Sequence, residues 1–153
     1  MSTKKVAIIV SRGGLDEIYP AFILANGARQ SGIEAVLFFT FYGLNAITEN
    51  KVDHLHVNMA GNAASPVPTA LMGLPGMEAV AAKMMSKRME GLDIPGPREF
   101  IEILKDSGVK LYACLLAMEM FGIEKEELME QVEDVITVGD FYAIADDAQV
   151  LFT

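Results

Sequence analysis

The sequence predicts an α/β fold: a three-layer α/β/α arrangement with a mostly parallel, doubly wound sheet of about five strands. Short apolar runs alternate along the chain with segments that have the spacing of helices. The runs are apolar on both sides, which is typical of strands buried between two helical layers. Glycines follow several helical segments, as at Gly32 and Gly108, and the repeated strand–helix–strand order favours parallel pairing.

The first part of the chain predicts two strands around one helix. Residues 4–11 form the first predicted strand, which lies inside the sheet because it is apolar on both sides; its apolar stretch is too short for a signal peptide. Gly13 and Gly14 make the following turn, and Asp16 is the expected N-cap of a helix over residues 17–31. Residues 33–40 form the second strand, and a weaker strand or loop covers residues 51–57.

The last third of the chain continues the alternation. Pro97 opens a helix that Gly108 closes. Strands are predicted at residues 110–113 and 135–138, with a helix over residues 124–131 between them. A helix over residues 139–145 and an edge strand over residues 149–152 complete the order.

We expect residues 1–153 to form a single domain, with residues 57–90 as an insertion-like arm. Residues 57–77 contain no charged residue, but their glycines and prolines exclude a continuous helix, so they do not form a stable membrane insertion. Residues 77–90 predict a helix with a wide apolar side: Met77, Val80, Ala81, Met84, Met85 and Met89. This excess of apolar surface predicts a homo-oligomer built partly through the arm.

The net charge of −9 lies in one part of the chain. Residues 1–118 contain 11 acidic and 11 basic residues, whereas residues 119–153 contain 10 acidic residues and one lysine, Lys125. This balance argues against a nucleic-acid partner, since phosphate binding needs positive charge. The simpler interpretation of these acidic residues is a solvated surface; the more specific one is a docking surface for a basic protein.

Cys114 is the single cysteine, and it is predicted to stand between a strand and a helix. A single cysteine excludes a disulfide framework and fits a reducing cytoplasm. The first N–H groups of the helix, with its dipole, favour a thiolate at this junction, although a buried cysteine is also a common core residue. Sites in parallel α/β folds gather at the carboxyl ends of the strands. The expected pocket residues at those ends are Gly13, Gly14, Thr40, Tyr42, Gly43, Ala113 and Leu115.

Other candidate motifs give weaker evidence for a functional site. Gly13 and Gly14 lack the spacing of a dinucleotide-binding motif and are not followed by a Walker lysine, so we expect no nucleotide site and no cofactor. His54 and His56 would share one face of an extended segment and, if Cys114 were close, would give three metal ligands. Surface histidines are the ordinary explanation, and we expect no metal.

Three segments resemble the DsrE-like family, in particular its branch labelled as sulfurtransferases or peroxiredoxin-like proteins. They are residues 38–44 (FFTFYGL), residues 74–78 leading to Lys83-Met84-Met85, and residues 112–114 (YAC) followed by residues 118–123 (MEMFGI). The resemblance implies an α/β/α domain, homo- or hetero-oligomers, and a cysteine, here Cys114, that accepts sulfur as a persulfide. The family often has Cys-x-Met-Ser-Met, whereas Ala117 here replaces the hydroxyl.

The function expected from this resemblance is that of a cytoplasmic sulfur carrier or sulfurtransferase. Cys114 would take sulfane sulfur from a donor and pass it to an acceptor, either proteins or small thiols. A one-cysteine peroxidase is the alternative enzyme, with Arg12 or Arg88 as the arginine that approaches the thiol in space. The non-catalytic alternative is an oligomeric binding protein in which Cys114 is inert.

Overall fold

Five parallel strands form the middle layer of the protein. The computed structural model describes residues 2–153. The strands are β1 (Lys5–Val10), β2 (Glu34–Phe39), β3 (Lys110–Cys114), β4 (Val132–Ile136) and β5 (Gln149–Phe152). They lie in the order β4-β3-β2-β1-β5, and neighbouring strands are parallel throughout. The first strand is therefore inside the sheet and the last is at its edge, as the sequence predicts.

Helices and short 3-10 segments make the connections. The α-helices of residues 2–153 are α1 (Leu15–Gln30), α2 (Thr69–Met72), α3 (Met77–Glu90), α4 (Pro97–Asp106), α5 (Leu115–Phe121) and α6 (Val138–Ile144). The 3-10 segments are Phe41–Ile47, Val52–His54, Met59–Gly61 and Lys125–Glu127. Within the described residues, no helix is both long enough and apolar enough to cross a membrane.

Helices cover both faces of the sheet. Side chains alternate between the two faces along each strand, so each strand packs against helices on both sides. On one face, the Phe22 ring of α1 lies 6.4 Å from Phe39 of β2 and 5.5 Å from Phe100 of α4. On the other face, Phe141 of α6 stacks on Phe38 at 4.7 Å between ring centroids. Burial of such a ring stabilises the fold by roughly 1.5–3 kcal/mol. The predicted three-layer, doubly wound architecture is confirmed.

The predicted helix over residues 124–131 is wrong. Only the 3-10 segment Lys125–Glu127 forms there, because the backbone of residues 127–129 pairs with residues 47–49 instead. Met129 N donates to Ile47 O at 2.9 Å, and Glu49 N donates to Glu127 O at 2.8 Å. The next strand, β4, also begins three residues before its predicted start.

Helix α1 begins at Leu15, two residues before its predicted start, and its N-cap is Gly14 rather than Asp16. The Asp16 carboxylate has another role, since it accepts a hydrogen bond from Asn58 N at 2.9 Å. Leu15 N in turn donates to His56 O at 2.9 Å. These two bonds hold the start of the arm against the start of α1.

The methionine-rich helix α3 uses only part of its apolar side within the chain. Ala82 is buried, and Met85 and Met89 pack half-buried against the core. Val80 and Met84 remain 56% and 60% exposed. The apolar surface that α3 leaves exposed is thus narrower than the sequence predicts.

Candidate functional site

Cys114 is the last residue of β3 and the N-cap of α5, so the chain passes from strand to helix without a loop. Its neighbours in the sheet are set by register: Ala113 lies level with Phe39 of β2, and Cys114 with Ile136 of β4. The predicted junction at the carboxyl edge of the sheet is therefore present. The side chain is buried, with 5% of its surface exposed.

The expected hydrogen bonding of the sulfur by α5 is not present in the described chain. The Cys114 side chain makes no capping hydrogen bond, although the first N–H groups of a helix have no acceptors within that helix. Ala117, which stands where the family often has a serine, is buried and supplies only a methyl group. Cys114 belongs to the buried hydrophobic core of the described residues.

Exposed apolar side chains lie on two elements that adjoin β3 and its last residue, Cys114. We call them the apolar collar; they belong to α5 and to the segment that follows β2, and they are Phe41, Tyr42, Leu115, Leu116, Met120 and Phe121. The Phe121 ring lies 6.1 Å from Phe41 and 5.6 Å from Tyr42, so the two elements contact each other. Leu116 and Tyr42 are 61% and 64% exposed. Sequence patterning missed the collar, because a helix in which Glu119 is the single charged residue normally predicts burial.

Two glycines fix the position of Tyr42 beside α5. A Cβ atom on Gly43 would lie 2.0 Å from Val10 O, and one on Gly13 would lie 2.1 Å from Tyr42 O. Thr40 N also donates to Val10 O at 3.0 Å. The segments that follow β1 and β2 are thus in direct backbone contact. Phe41, which lies between Thr40 and Tyr42, has a positive φ of 47°. Strained backbone conformations of this kind are often found at functional sites.

A cavity lies beside these turns, and Cys114 is not part of its lining. Its volume is about 920 Å³. It contains the predicted pocket residues Gly13, Gly14 and Tyr42, but its lining does not include Thr40, Gly43, Ala113, Cys114 or Leu115. Tyr42 belongs to both the cavity and the collar. A pocket around Cys114 formed by all of the expected residues stays a prediction.

Acidic and basic side chains line the cavity together with two histidines. Arg12 Nη1 lies 3.4 Å from Glu17 Oε2, and His56 Nδ1 lies 3.8 Å from Glu78 Oε2. His54 and His56 both line the cavity, whereas Cys114 does not. Within residues 2–153, no three His, Cys, Asp or Glu side chains are grouped so that they could hold a metal ion.

Two groups near β4 have shifted pKa values. Burial, followed by the nearby carboxylates of Glu133, Asp134 and Glu34, raises the pKa of Tyr112, which immediately precedes Ala113 and Cys114. Hydrogen bonds from the backbone N–H and the hydroxyl of Thr137 lower the pKa of Asp140 at the start of α6. Tyr112 therefore stays neutral and Asp140 stays ionised at neutral pH.

Comparisons with known proteins match this architecture and sequence. The chain is 36% identical over 141 residues to Sulfur carrier protein DsrE2 of Allochromatium vinosum, with 87% of each chain covered. It is 28% identical over 156 residues to the uncharacterized protein YrkE of Bacillus subtilis, covering 97% of this chain and 95% of that one.

Two solved structures share the fold. The ychN protein from E. coli has a TM-score of 0.59 and 15% identity, with 99% of this chain and 100% of that chain covered. MTH1491 from Methanobacterium thermoautotrophicum, a protein of unknown function, has a TM-score of 0.53 and 12% identity, covering 97% and 98%. A family model matches residues 2–152. The chain belongs to the DsrE/DsrF/DrsH-like family.

Proposed function

We propose that the protein is a sulfur carrier that holds sulfane sulfur as a persulfide on Cys114. The observation that supports this is the position of the thiol, at the carboxyl end of β3 and the N-cap of α5, in a chain that is 36% identical to a sulfur carrier protein. Sites in open parallel sheets lie at this edge. The carrier thiol has to stay reduced between transfers, so the proposal includes a reducing compartment such as the cytoplasm.

Each transfer exchanges one sulfur–sulfur bond for another. The Cys114 thiolate attacks the outer sulfur of a donor persulfide, and the donor leaves as a thiolate when its own sulfur–sulfur bond breaks. The outer sulfur keeps its proton or charge and is now bound to Cys114. An acceptor thiolate then attacks the same atom and releases the Cys114 thiolate. The cycle needs one cysteine and consumes no oxidant or reductant.

The burial of Cys114 also favours a second candidate, a binding protein with an inert thiol, because buried cysteines are commonly packing residues. Incubation with inorganic polysulfide separates the two. We expect a mass increase of one sulfur atom, reversed by a reductant and absent in Cys114→Ser. A wild-type protein that stays unmodified by polysulfide, while a small alkylating agent labels Cys114, contradicts the carrier proposal.

Peroxide turnover tests the alternative enzyme. Of the two arginines considered, Arg12 contacts Glu17 and lines the cavity, and Arg88 is exposed on α3. We expect persulfide formation on Cys114 without catalytic consumption of hydrogen peroxide. Peroxide turnover that is lost in Cys114→Ser and kept in wild type would favour the peroxidase instead.

We also propose that the arm forms part of a homo-oligomer. Exposed apolar side chains lie on α3 and just before it: Leu71, Leu74, Val80 and Met84. Met84→Glu should weaken the assembly, since an unpaired carboxylate in an interface is costly. Lys87→Glu, a charge change on the same helix, is the control. Light scattering that finds a monomeric wild type, or an assembly unchanged by Met84→Glu, contradicts this interface.

A further inference from the structure

We infer that the free edge of β5 is a dimer interface, at which two copies of the chain pair their β5 strands antiparallel and join their sheets into one continuous sheet. The pairing is centred on Leu151, so that Val150 of each copy lies opposite Phe152 of the other. This contact does not involve the arm or Cys114, and it does not depend on the proposed carrier function. Three features support it: the direction of the backbone groups, the exposed side chains and the absence of charge.

The backbone of β5 presents a row of hydrogen-bonding groups at the edge of the described sheet, where β5 is the outermost strand beside β1. Thr153 N donates to Ile9 O at 2.9 Å, and Thr153 O accepts from Ser11 N at 3.0 Å, so both groups of Thr153 point toward β1. The direction alternates along a strand, so the N–H and C=O groups of Val150 and Phe152 point away from β1. Such a row is a template for another strand.

The side chains at this edge are apolar and exposed. Val150 is 49% exposed and Phe152 is 73% exposed. They share one face of the sheet, because they are two residues apart on the same strand. Phe152 lies level with Ile9 of β1, which lies level with Phe38 of β2, so this is the face that α6 covers further inside the sheet. An antiparallel partner strand would cover both exposed side chains.

The two edges of the sheet differ in charge. At the other edge, β4 carries Glu133 and Asp134, both of which are exposed. Charged side chains on an edge strand oppose its pairing with another chain. By contrast, residues 149–153 contain no charged residue, no proline and no glycine. A second strand can therefore pair with β5, whereas pairing of two β4 strands would bring carboxylates of two copies together.

The outward groups favour a second copy and select one register. Val150 and Phe152 are two residues apart, so an antiparallel copy pairs both of them, with four backbone hydrogen bonds, only when the two Leu151 residues face each other across a twofold axis. Each Val150–Phe152 pair then joins a β-branched to an aromatic side chain, a combination that stabilises antiparallel strands. The same short strand thus supplies both halves of the contact.

The net charge of −9 opposes this dimer little, because the acidic residues nearest to β5 in the sequence lie away from the twofold axis. Asp146 and Asp147 are at least four positions from Leu151. Those of the two copies lie at opposite ends of the contact, roughly 20 Å or more apart along the strands. This separation exceeds the screening length of about 8 Å at physiological salt.

The assembly of matched variants tests the interface. Val150→Lys should weaken dimerisation about tenfold or more, because lysine on an edge strand opposes pairing. Ile103→Lys is the control, since it makes the same kind of change at an exposed apolar position on α4. Sedimentation equilibrium measures the dissociation constants from about 1 µM to about 1 mM, because a contact this short is smaller than a standard interface of about 1,600 Å². Equal constants for Val150→Lys and wild type overturn the inference.

Val150→Pro separates pairing from folding. Proline at this position removes an outward N–H group and no hydrogen bond to β1, which is why proline is tolerated on edge strands. The variant should keep a cooperative urea transition and lose dimerisation. Leu151→Pro, one position along the strand, removes an inward N–H group and should lower the free energy of unfolding. A Val150→Pro chain that dimerises as wild type does overturns the inference.

Disulfide cross-linking tests the register. Val150→Cys and Phe152→Cys are made as single variants in a Cys114→Ser chain, both at exposed positions. Opposite residues of a hydrogen-bonded pair have Cα atoms about 5.5 Å apart, which is within disulfide range. Two copies of the same position are also offset by about 7 Å along the strands, which is beyond it. With oxidised glutathione, a mixture of the two variants should therefore give about fivefold or more cross-linked dimer than either variant alone.

The other possible occupants of the edge give different results. The proposed arm interface is a separate contact, so the mixed disulfide should form equally in a Met84→Glu chain. A mixed disulfide that Met84→Glu removes assigns the β5 edge to the arm of the partner and overturns the inference. A wild-type chain that is monomeric at about 1 mM leaves the edge to a strand of another protein, and this result also overturns it. Equal cross-linking in the mixture and in the single variants does the same.

Discussion

Gly43→Ala should destabilise the protein strongly, because the turn after β2 has no room for a methyl group. The added Cβ would lie 2.0 Å from Val10 O and 2.8 Å from Val10 C, and backbone atoms cannot move aside as a flexible side chain can. Reaching 3.0 Å requires the two segments to separate by about 1 Å. Such overpacking costs about 1–3 kcal/mol. Loss of the hydrogen bond from Thr40 N to Val10 O adds about 0.5–1.5 kcal/mol.

Gly27→Ala is the matched control, because near the end of α1 the same methyl group finds no atom within 4 Å outside the backbone of its own helix. This change should stabilise the protein by about 0.5–1 kcal/mol, since alanine favours the helix and restricts the unfolded chain. The free energies of unfolding of the two variants should therefore differ by about 2–5.5 kcal/mol, measured by urea denaturation with circular dichroism. A Gly43→Ala variant within about 0.5 kcal/mol of wild type refutes the close contact.

Three further predictions concern side-chain hydrogen bonds. Arg98→Met should lower the free energy of unfolding by no more than about 1 kcal/mol, since the ion pair of Arg98 with Asp53 is exposed. The loss should vanish at acid pH, because hydrogen bonding by Arg98 lowers the pKa of Asp53: the stabilisation is present above the pKa of Asp53 in the unfolded chain and is lost as the pH falls through its pKa in the folded protein. Burial raises the pKa of the Tyr19 phenol to about 12, and Tyr19→Phe removes this group. Above about pH 10 the wild type should therefore lose stability relative to the variant, which ultraviolet titration and urea denaturation can measure. Thr137→Ala should cost about 1 kcal/mol in thermal unfolding, and Thr137→Ser should restore it, because the hydroxyl caps α6.

The parts of the fold that local patterns determine were predicted well. Strand β5 has its predicted bounds. Strand β1 lies inside the sheet, as predicted, because a short run that is apolar on both sides fits a central strand. Pro97 opens α4 as predicted, since a proline at the first helical position loses no hydrogen bond. Each of these predictions needs only the residue types within one turn or one strand.

Elements that depend on distant partners could not be predicted in this way. The backbone of residues 127–129 has acceptors and donors about 80 positions earlier, in residues 47–49, and no local pattern reveals that pairing. For the same reason, the expectation from the sequence that Gly13, Tyr42 and Cys114 share one pocket could not be checked by local patterns. All three lie at the carboxyl edge, but only the fold shows that the cavity contains the first two and that the thiol lies outside its lining.

The site combines a buried thiol with exposed apolar side chains, an arrangement that packing alone does not explain. A chain that needed Cys114 only as a core residue would gain from covering Leu116 and Phe121 as well, because exposed apolar area forgoes about 25 cal/mol per Å². For a carrier, the same arrangement has a use. Under the proposed function, the burial of Cys114 would limit the access of small thiols to its sulfur, and contact with the exposed side chains of the collar would add to the binding energy of a protein acceptor. Under the proposed function, a docked acceptor should therefore remove the sulfur faster than a free thiol of equal acidity.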